Sequence, residues 1–499
     1  MSESLKKKVF SGAIWMSSIS LLQQIFQFLV QIVLARLLVP KDYGTAAIVM
    51  SLCMFAVVFS SAGIGTALVQ KKELTSKITD AAATITGGFA LVLGSVVFFG
   101  SNWIATFYKL PELSLLFQIA AFDIFFKVMI SLYDGLILRE MRFRLLSLMS
   151  FISLLIQAGV SITLAFTGHG AKSLVIGYLS GSVTHFIFCV FATKYIPRSF
   201  GNWREAVGVF QFGGWILLGR VANQAAITLD QLILGKFLNV ASLGLINISK
   251  NLSSLIPHTI LGFANRLTLP VFSQWQDNLQ RVEINYWRGV RIQLLIITPL
   301  CVIIAFASYQ ILGLLFGVKW IDGNMVMKIY AMQAIVWSAE GGLTSAVFNA
   351  LGKPKFGTVV MILSLGLIPL CAYIGALFGI TGVAVAFLCF AIIVLLVNQY
   401  ILWLKFNFKI SNWFLIATRQ LLAILPLLIC GYGLVISGLL PFTPPPELFS
   451  SEWFLWFLRL VIFGVVCMVV YIVSARFLLK EDFQYLWNGL KGALWKREK

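Results

Sequence analysis

Residues 24–48 read QIFQFLVQIVLARLLVPKDYGTAAI, and residues 224–248 read QAAITLDQLILGKFLNVASLGLINI. Gln24, Gln31, Arg36, Leu38, Gly44 and Ile48 recur 200 residues later as Gln224, Gln231, Lys236, Leu238, Gly244 and Ile248. Trp15 and Trp215 extend the match. Further on, Arg142-Phe143 resembles Lys355-Phe356, and Ala165-Phe166-Thr167-Gly168 resembles Ala376-Leu377-Phe378-Gly379. An ordered series of this kind, with insertions only between helices, predicts a duplicated six-helix unit. Two related lobes around a central cavity is how many transporters are built.

The composition puts this duplication in a membrane. Hydrophobic residues make up 59% of the chain, charged residues 11%, and the mean hydropathy is +0.92. A soluble chain would carry roughly 25% charged residues. In lipid each element must satisfy its own backbone, and runs of ~20 apolar residues fit helices. The short alternating segments of an outer-membrane barrel are absent. The expected fold is therefore all-α and polytopic, with about fourteen spans. They fall near 10–36, 43–69, 81–107, 113–138, 147–167, 173–195, 207–235, 243–270, 292–316, 325–351, 357–378, 381–404, 419–440 and 453–475. Spans 1–6 and their inner connection form an N-lobe over 1–204, and spans 7–12 a C-lobe over 205–404. Residues 405–499 hold two extra spans and a tail whose Phe483, Leu486, Trp487, Leu490 and Trp495 alternate with cations. Such a tail suits a helix lying on the inner surface. The longest inner loop is expected around 271–291.

The formal charge of +19 does not point to nucleic acid. With the amino terminus inside, 26 loop and tail cations fall on the cytoplasmic side and 6 on the other. This positive-inside bias predicts both termini in the cytoplasm and an even span count. The cytoplasmic cations also attract anionic membrane lipids. The apolar stretch from Phe10 to Leu38 is too long for a cleaved signal and is expected to remain as the first helix.

No motif here announces chemistry. HExxH, a phosphate-binding loop, GxSxG and paired-cysteine spacings are all missing. The chain is expected to be no enzyme, with no cofactor and no metal. All seven cysteines lie in apolar runs and read as small packing residues. Gly177/Gly181, Gly313/Gly317 and Gly375/Gly379 read as close helix packing. His169 sits in a turn, and His185 and His258 lie on helices with no partner in sequence reach.

The polar stripes say more. Ser17, Ser20, Gln24, Gln27 and Gln31 share one face of span 1. Arg220, Gln224 and Gln231 take the same register in span 7, beside Asn223, Thr228 and Asp230. In span 8, Asn247, Asn251, Ser254 and His258 align, flanked by Lys250 and, lower down, Arg266. Interhelical hydrogen bonding would account for single members. The coincidence on matched helices favours a shared aqueous cavity. Ionisable residues within spans are Asp123, Lys127, Arg220, Asp230, Lys250, Arg266, Lys328, Glu340 and Arg459. A central charge costs ~2.5–3.5 kcal/mol on insertion scales, so each should face protein or water. Lys328, Arg266 and Arg459 lie near enough to helix ends to snorkel. Asp123 and Lys127, four apart, are placed to neutralise one another. Arg220, Asp230, Lys250 and Glu340 are harder to dismiss. Arg offers a fork for phosphate oxygens and Lys a point charge.

Ala35-Arg36-Leu37-Leu38-Val39-Pro40-Lys41-Asp42-Tyr43-Gly44, followed by Gly63-Ile64-Gly65-Thr66-Ala67-Leu68-Val69-Gln70, resembles the opening of bacterial polysaccharide flippases. Arg139-Glu140-Met141-Arg142-Phe143-Arg144 resembles the same group. These belong to the polysaccharide transporter branch of the multidrug/oligosaccharidyl-lipid/polysaccharide superfamily, and the likeness is to the colanic-acid and teichuronic-acid exporter type. The resemblance implies two six-helix lobes around a cationic cavity in the bacterial cytoplasmic (inner) membrane. It implies alternating access, moving an undecaprenyl-diphosphate-linked oligosaccharide to the outer leaflet for lipopolysaccharide or exopolysaccharide biosynthesis. The implied partners are that lipid-linked oligosaccharide, membrane lipids and the polysaccharide polymerase machinery.

No site residue carries over by motif. On chemistry, Arg220, Lys250 and Arg266 are the expected diphosphate ligands. Gln24, Gln27, Gln31, Gln224, Asn247 and Asn251 are expected to meet sugar hydroxyls, with Asp230 or Glu340 coupling an ion. The alternatives are a drug/cation antiporter or a peptidoglycan-precursor flippase of the same superfamily. A membrane glycosyltransferase would want a large catalytic loop, and a scaffold would not need intramembrane Arg and Asp.

Overall fold

A computed structural model describes residues 3–61, 75–197, 221, 224–225, 227–340, 342–441, 443 and 450–485. The side chains of 3–14, 16–17, 59–61, 263–267 and 269–271 lie outside that description. The first six helices are α1 (Glu3–Leu37), α2 (Pro40–Ser61), α3 (Ser76–Tyr108), α4 (Glu112–Arg139), α5 (Phe143–Phe166) and α6 (Ala171–Thr193). Residues 227–237 are helical (α7). Then come α8 (Val240–Ser273), α9 (Leu279–Phe306), α10 (Ser308–Phe316) and a 3₁₀ turn, Val318–Gly323. The rest are α11 (Asn324–Glu340), α12 (Leu343–Ala350), α13 (Lys355–Leu377), α14 (Gly379–Phe406), α15 (Ser411–Ile436) and α16 (Ser451–Leu478). No strand occurs among the described residues.

The helix ends follow from local chemistry. Thr75 and Ser450 cap α3 and α16 by accepting from the amides of Ile78 and Trp453. At the other ends, Lys109, Lys194 and Asn407 turn α3, α6 and α14 off through left-handed backbone.

Eleven of the described helices are long and apolar enough to cross a membrane. That test, made on the described residues, gives fewer than the fourteen expected spans. Most of span 7 lies outside the described residues, span 8 carries the polar stripe, and span 10 is broken into α11 and α12. The outer faces are lipid-suited: Phe99, Trp103 and Phe477 are 80%, 73% and 78% exposed. An exposed face this apolar is at home only against hydrocarbon.

The chain divides into two compact units, Met1–Gly244 and Leu245–Lys499. In the first, α4 packs on α2, α3 and α6, and α5 packs on α1 and α6. Phe26 on α1 meets Phe151 on α5 edge-on at 6.0 Å, and the Arg144 guanidinium lies 5.4 Å over the Trp15 ring. In the second unit, α11 packs on α9 and α14, and α13 packs on α14. The pairings of spans 3–4, 4–6 and 5–6 thus reappear as 9–10, 10–12 and 11–12, which is the duplication expressed in packing. The two extra helices, α15 and α16, join α9 around Leu295, Ala423, Leu427 and Phe463. Ser474 Oγ donates to the Ala423 carbonyl across them at 2.8 Å.

The expected long inner loop does not exist in that form. α9 begins at Leu279, so only a short turn separates it from α8. Residues 279–291 carry Arg281, Arg288 and Arg291 on one side, which hydropathy discounts. Their other side buries Val282, Tyr286, Trp287 and Val290, so amphipathic packing extends the helix. The tail is docked there: Arg291 Nε pairs with Asp482 at 3.0 Å and Arg288 lies over the Tyr485 ring at 4.9 Å. Burial lifts the Asp482 carboxyl above its usual range, and Arg291 pulls it back.

The matched turns of the repeat meet each other inside the first unit. A Cβ on Gly44 would lie 2.7 Å from the Val240 carbonyl carbon. One on Gly244 would lie 2.8 Å from the Pro40 carbonyl carbon. Only glycine lets two backbones approach this closely. Pro40 and Val240 are themselves matched by the 200-residue offset.

Candidate substrate and coupling sites

The structure distributes the expected site residues unevenly. Arg220 lies outside the described residues, and Arg266 is on α8 with its side chain outside the description. Gln24, Gln27 and Asn251 are exposed; Gln31, Gln224 and Asn247 are half-buried. The Gln31 carbonyl accepts from the Tyr43 hydroxyl at 3.4 Å, which ties α1 to α2. Gln224 Nε2 lies 3.4 Å from Thr228 Oγ1, and that hydroxyl donates to the Ser51 carbonyl at 3.2 Å. Asp230 on α7 is buried, 3% exposed.

Lys250 is half-buried on α8, which puts its ammonium among rings: 5.3 Å from Phe387 and 5.9 Å from Tyr330. Aromatic faces stabilise a cation in a partly dry place without neutralising it. Ser249 and Ser253, on the adjoining face, donate to the carbonyls of Gly323 and Met327 and fix α8 to the start of α11.

Asp123 and Lys127 form the expected pair. The carboxylate is wholly buried, its Oδ2 lies 2.6 Å from Lys127 Nζ, and Ser182 Oγ donates to Oδ1 at 2.5 Å. The ammonium also sits 5.4 Å over Tyr178.

Glu340 is built differently. It ends α11, and Gly342, with φ of 72°, begins the turn into α12. Glu340 is 9% exposed, and Asn398 on α14 donates to its Oε1. Its Oε2 is buried with no hydrogen-bond partner among the described residues. At the next position of α14, Gln399 donates to the Tyr286 hydroxyl at 2.9 Å, and that hydroxyl shares a 3.1 Å bond with Thr344. In secondary transporters, the C-terminal ends of half-helices in discontinuous spans coordinate coupling ions.

Two groupings escaped the sequence. Asn398 and Gln399 are adjacent amides in the middle of an apolar span, a signal that was available. His185 has partners after all: Asp134 Oδ1 on α4 lies 3.2 Å from its Nε2, and Cys189 Sγ lies 3.5 Å from the same oxygen. Asp134 is 51 residues away in sequence, and no local spacing reveals it.

Matched helical bundles, a broken span and half-buried cations are features of a polytopic membrane transporter. The fold is similar to that of the lipid II flippase MurJ in its inward closed conformation, with a TM-score of 0.73 over 94% of this chain and 99% of that one, at 17% identity. The profile of the polysaccharide biosynthesis protein family matches residues 33–324, and the chain belongs to that family. It is 24% identical over 491 residues to an uncharacterized membrane protein in the cps region of Klebsiella pneumoniae, covering 96% of this chain and 97% of that one. It is 23% identical over 410 residues to the lipopolysaccharide biosynthesis protein WzxC of Escherichia coli (strain K12), covering 80% and 82%.

Proposed function

We infer that this protein flips an undecaprenyl-diphosphate-linked oligosaccharide repeat unit across the bacterial cytoplasmic membrane by alternating access, supplying surface or exopolysaccharide biosynthesis. The observation that carries the reading is family membership across 33–324, which takes in the first unit from residue 33 onward and the polar stripe of α8. The site chemistry supports it. Lys250 presents a cation flanked by the Tyr330 and Phe387 rings, a charge suited to a diphosphate. Arg220 and Arg266 add forks to that charge. Gln24, Gln27, Gln31, Gln224, Asn247 and Asn251 hydrogen-bond sugar hydroxyls, and the lipid tail stays in the bilayer. Glu340, or Asp230, couples the cycle to a cation. Both termini lie in the cytoplasm, and the polymerase machinery receives the flipped unit.

Proteoliposomes loaded with a fluorescent lipid-diphosphate oligosaccharide test the reading. The parent protein should move the lipid between leaflets. Lys250→Gln should cut the rate at least tenfold with normal insertion, since a charge-assisted phosphate contact is worth about 1.5–3 kcal/mol. Arg220→Gln should act likewise, and Arg220→Lys should keep part of the activity because the point charge survives without the fork. If Arg220→Gln combined with Asp230→Asn regains transport, Arg220 neutralises Asp230 and is no phosphate ligand. An inert parent protein that instead expels organic cations would replace the flippase reading with an antiporter.

A further inference from the structure

We propose that Asp134, His185 and Cys189 form a Zn²⁺ site that staples α4 to α6. Their three donor atoms, one oxygen, one nitrogen and one sulfur, lie within 4.8 Å of one another. His185 and Cys189 are one turn apart on α6 and so share a face; Asp134 reaches them from α4, which packs alongside.

The spacing suits a metal. Zinc takes nitrogen or oxygen at about 2.0–2.1 Å and sulfur at about 2.3 Å, so a tetrahedron has edges of about 3.3–3.6 Å. The Asp134–His185 and Asp134–Cys189 separations are 3.2 and 3.5 Å. An ion can enter with little rearrangement of the helices.

The donor set selects the ion. A thiolate is a poor ligand for Mg²⁺ or Ca²⁺, whereas thiolate, imidazole and one carboxylate together suit Zn²⁺. Charge balance points the same way. Thiolate and carboxylate carry two negative charges, imidazole none, and Zn²⁺ cancels them. The complex is neutral overall, which is what a site inside a membrane helix pair requires. The exposure is graded: Cys189 is buried, His185 is 12% exposed and Asp134 32%. Three protein ligands with a partly open side leave the fourth position to water. The site lies near the ends of both helices, at Arg139 and Thr193, and its effect would be to hold those ends together.

The test uses full-length, tag-free protein in nanodiscs, stripped of metal and titrated with Co²⁺ as a visible stand-in. The expected result is one Co²⁺ per chain, with thiolate-to-metal charge-transfer absorption and the intense visible bands of a tetrahedral ion. Zn²⁺ should displace the cobalt. Cys189→Ser should abolish the charge-transfer band, and His185→Ala or Asp134→Asn should weaken binding tenfold or more. Parent protein that binds no cobalt, or binds it without a thiolate band, overturns the proposal whatever the variants do. A thiolate band that persists in folded Cys189→Ser overturns it as well, since another cysteine would then be the ligand. Alkylation gives a second readout in the parent chain. Zn²⁺ should slow modification of Cys189 by a membrane-permeant maleimide, and unaltered modification would sink the site. None of these readouts depends on what the protein transports.

Discussion

α4 runs unbroken from Glu112 to Arg139, whereas its counterpart in the second repeat is two helices, α11 and α12, with Gly342 in left-handed backbone at the start of the second. Aligning Arg142-Phe143 with Lys355-Phe356 sets Lys127 against Glu340, and Val128-Met129 against Gly341-Gly342. The first copy holds a cation there, and its charge closes on Asp123 within the same helix. The second holds an acid with one amide donor, one oxygen that has no partner among the described residues, and the turn at Gly342 close by. A duplicated unit has thus kept its packing while dividing its electrostatics: one copy is a finished structural pair, and the other keeps a buried carboxylate in reserve.

Opening the finished pair should have the largest effect. Asp123→Asn leaves Lys127 largely buried without its counter-charge, at a cost of about 3–5 kcal/mol. Abundance and melting temperature should both fall steeply, and adding Lys127→Met should recover most of the loss. If the single variant melts with the parent, the pair is not what stabilises α4. The break comes next. Gly342→Ala forces a side chain into left-handed backbone and should cost about 1–2 kcal/mol, with transport falling further than stability. An Ala variant with parental melting and transport would show that span 10 does not need its turn.

Glu340→Gln sharpens the contrast most, because its expected structural effect is small. The amide keeps a carbonyl for Asn398 and removes only the charge, so stability should stay within about 1 kcal/mol of the parent. Cation-dependent transport should disappear. A Glu340→Gln protein as damaged as Asp123→Asn would make both acids structural. The smallest change is Gln399→Leu, which removes one of the two partners of the Tyr286 hydroxyl and should cost about 1 kcal/mol without altering ion dependence.

Much of this was legible in the chain. The 200-residue echo announced matched bundles, and the i,i+4 spacing of Asp123 and Lys127 announced their pairing. Both are patterns within one helix or one linear register. What stayed hidden depends on neighbouring helices. The pair Glu340 and Asn398 joins positions 58 residues apart, and Asp134 and His185 join positions 51 apart. Hydropathy also began span 9 too late, at 292, because the charges of 279–291 outweighed Val282, Tyr286 and Val290. The turn at Gly342 was written as Gly341-Gly342, yet glycine pairs in membrane helices more often read as packing, as Gly177 and Gly181 do here.

The glycine crossing at 40–44 and 240–244 carries one more consequence. Residue 44 meets residue 240, and residue 244 meets residue 40. Reciprocal contacts of that kind are what a two-fold homodimer makes, each subunit offering the same patch to its twin. Within a single polypeptide they are a mark of ancestry. Two copies of a six-helix forebear that touched backbone to backbone at this point, and were later fused into one gene, would leave such a contact. Every other matched pair was then free to drift, as Lys127 and Glu340 did, but a seat that admits no side chain on either partner had to stay symmetric.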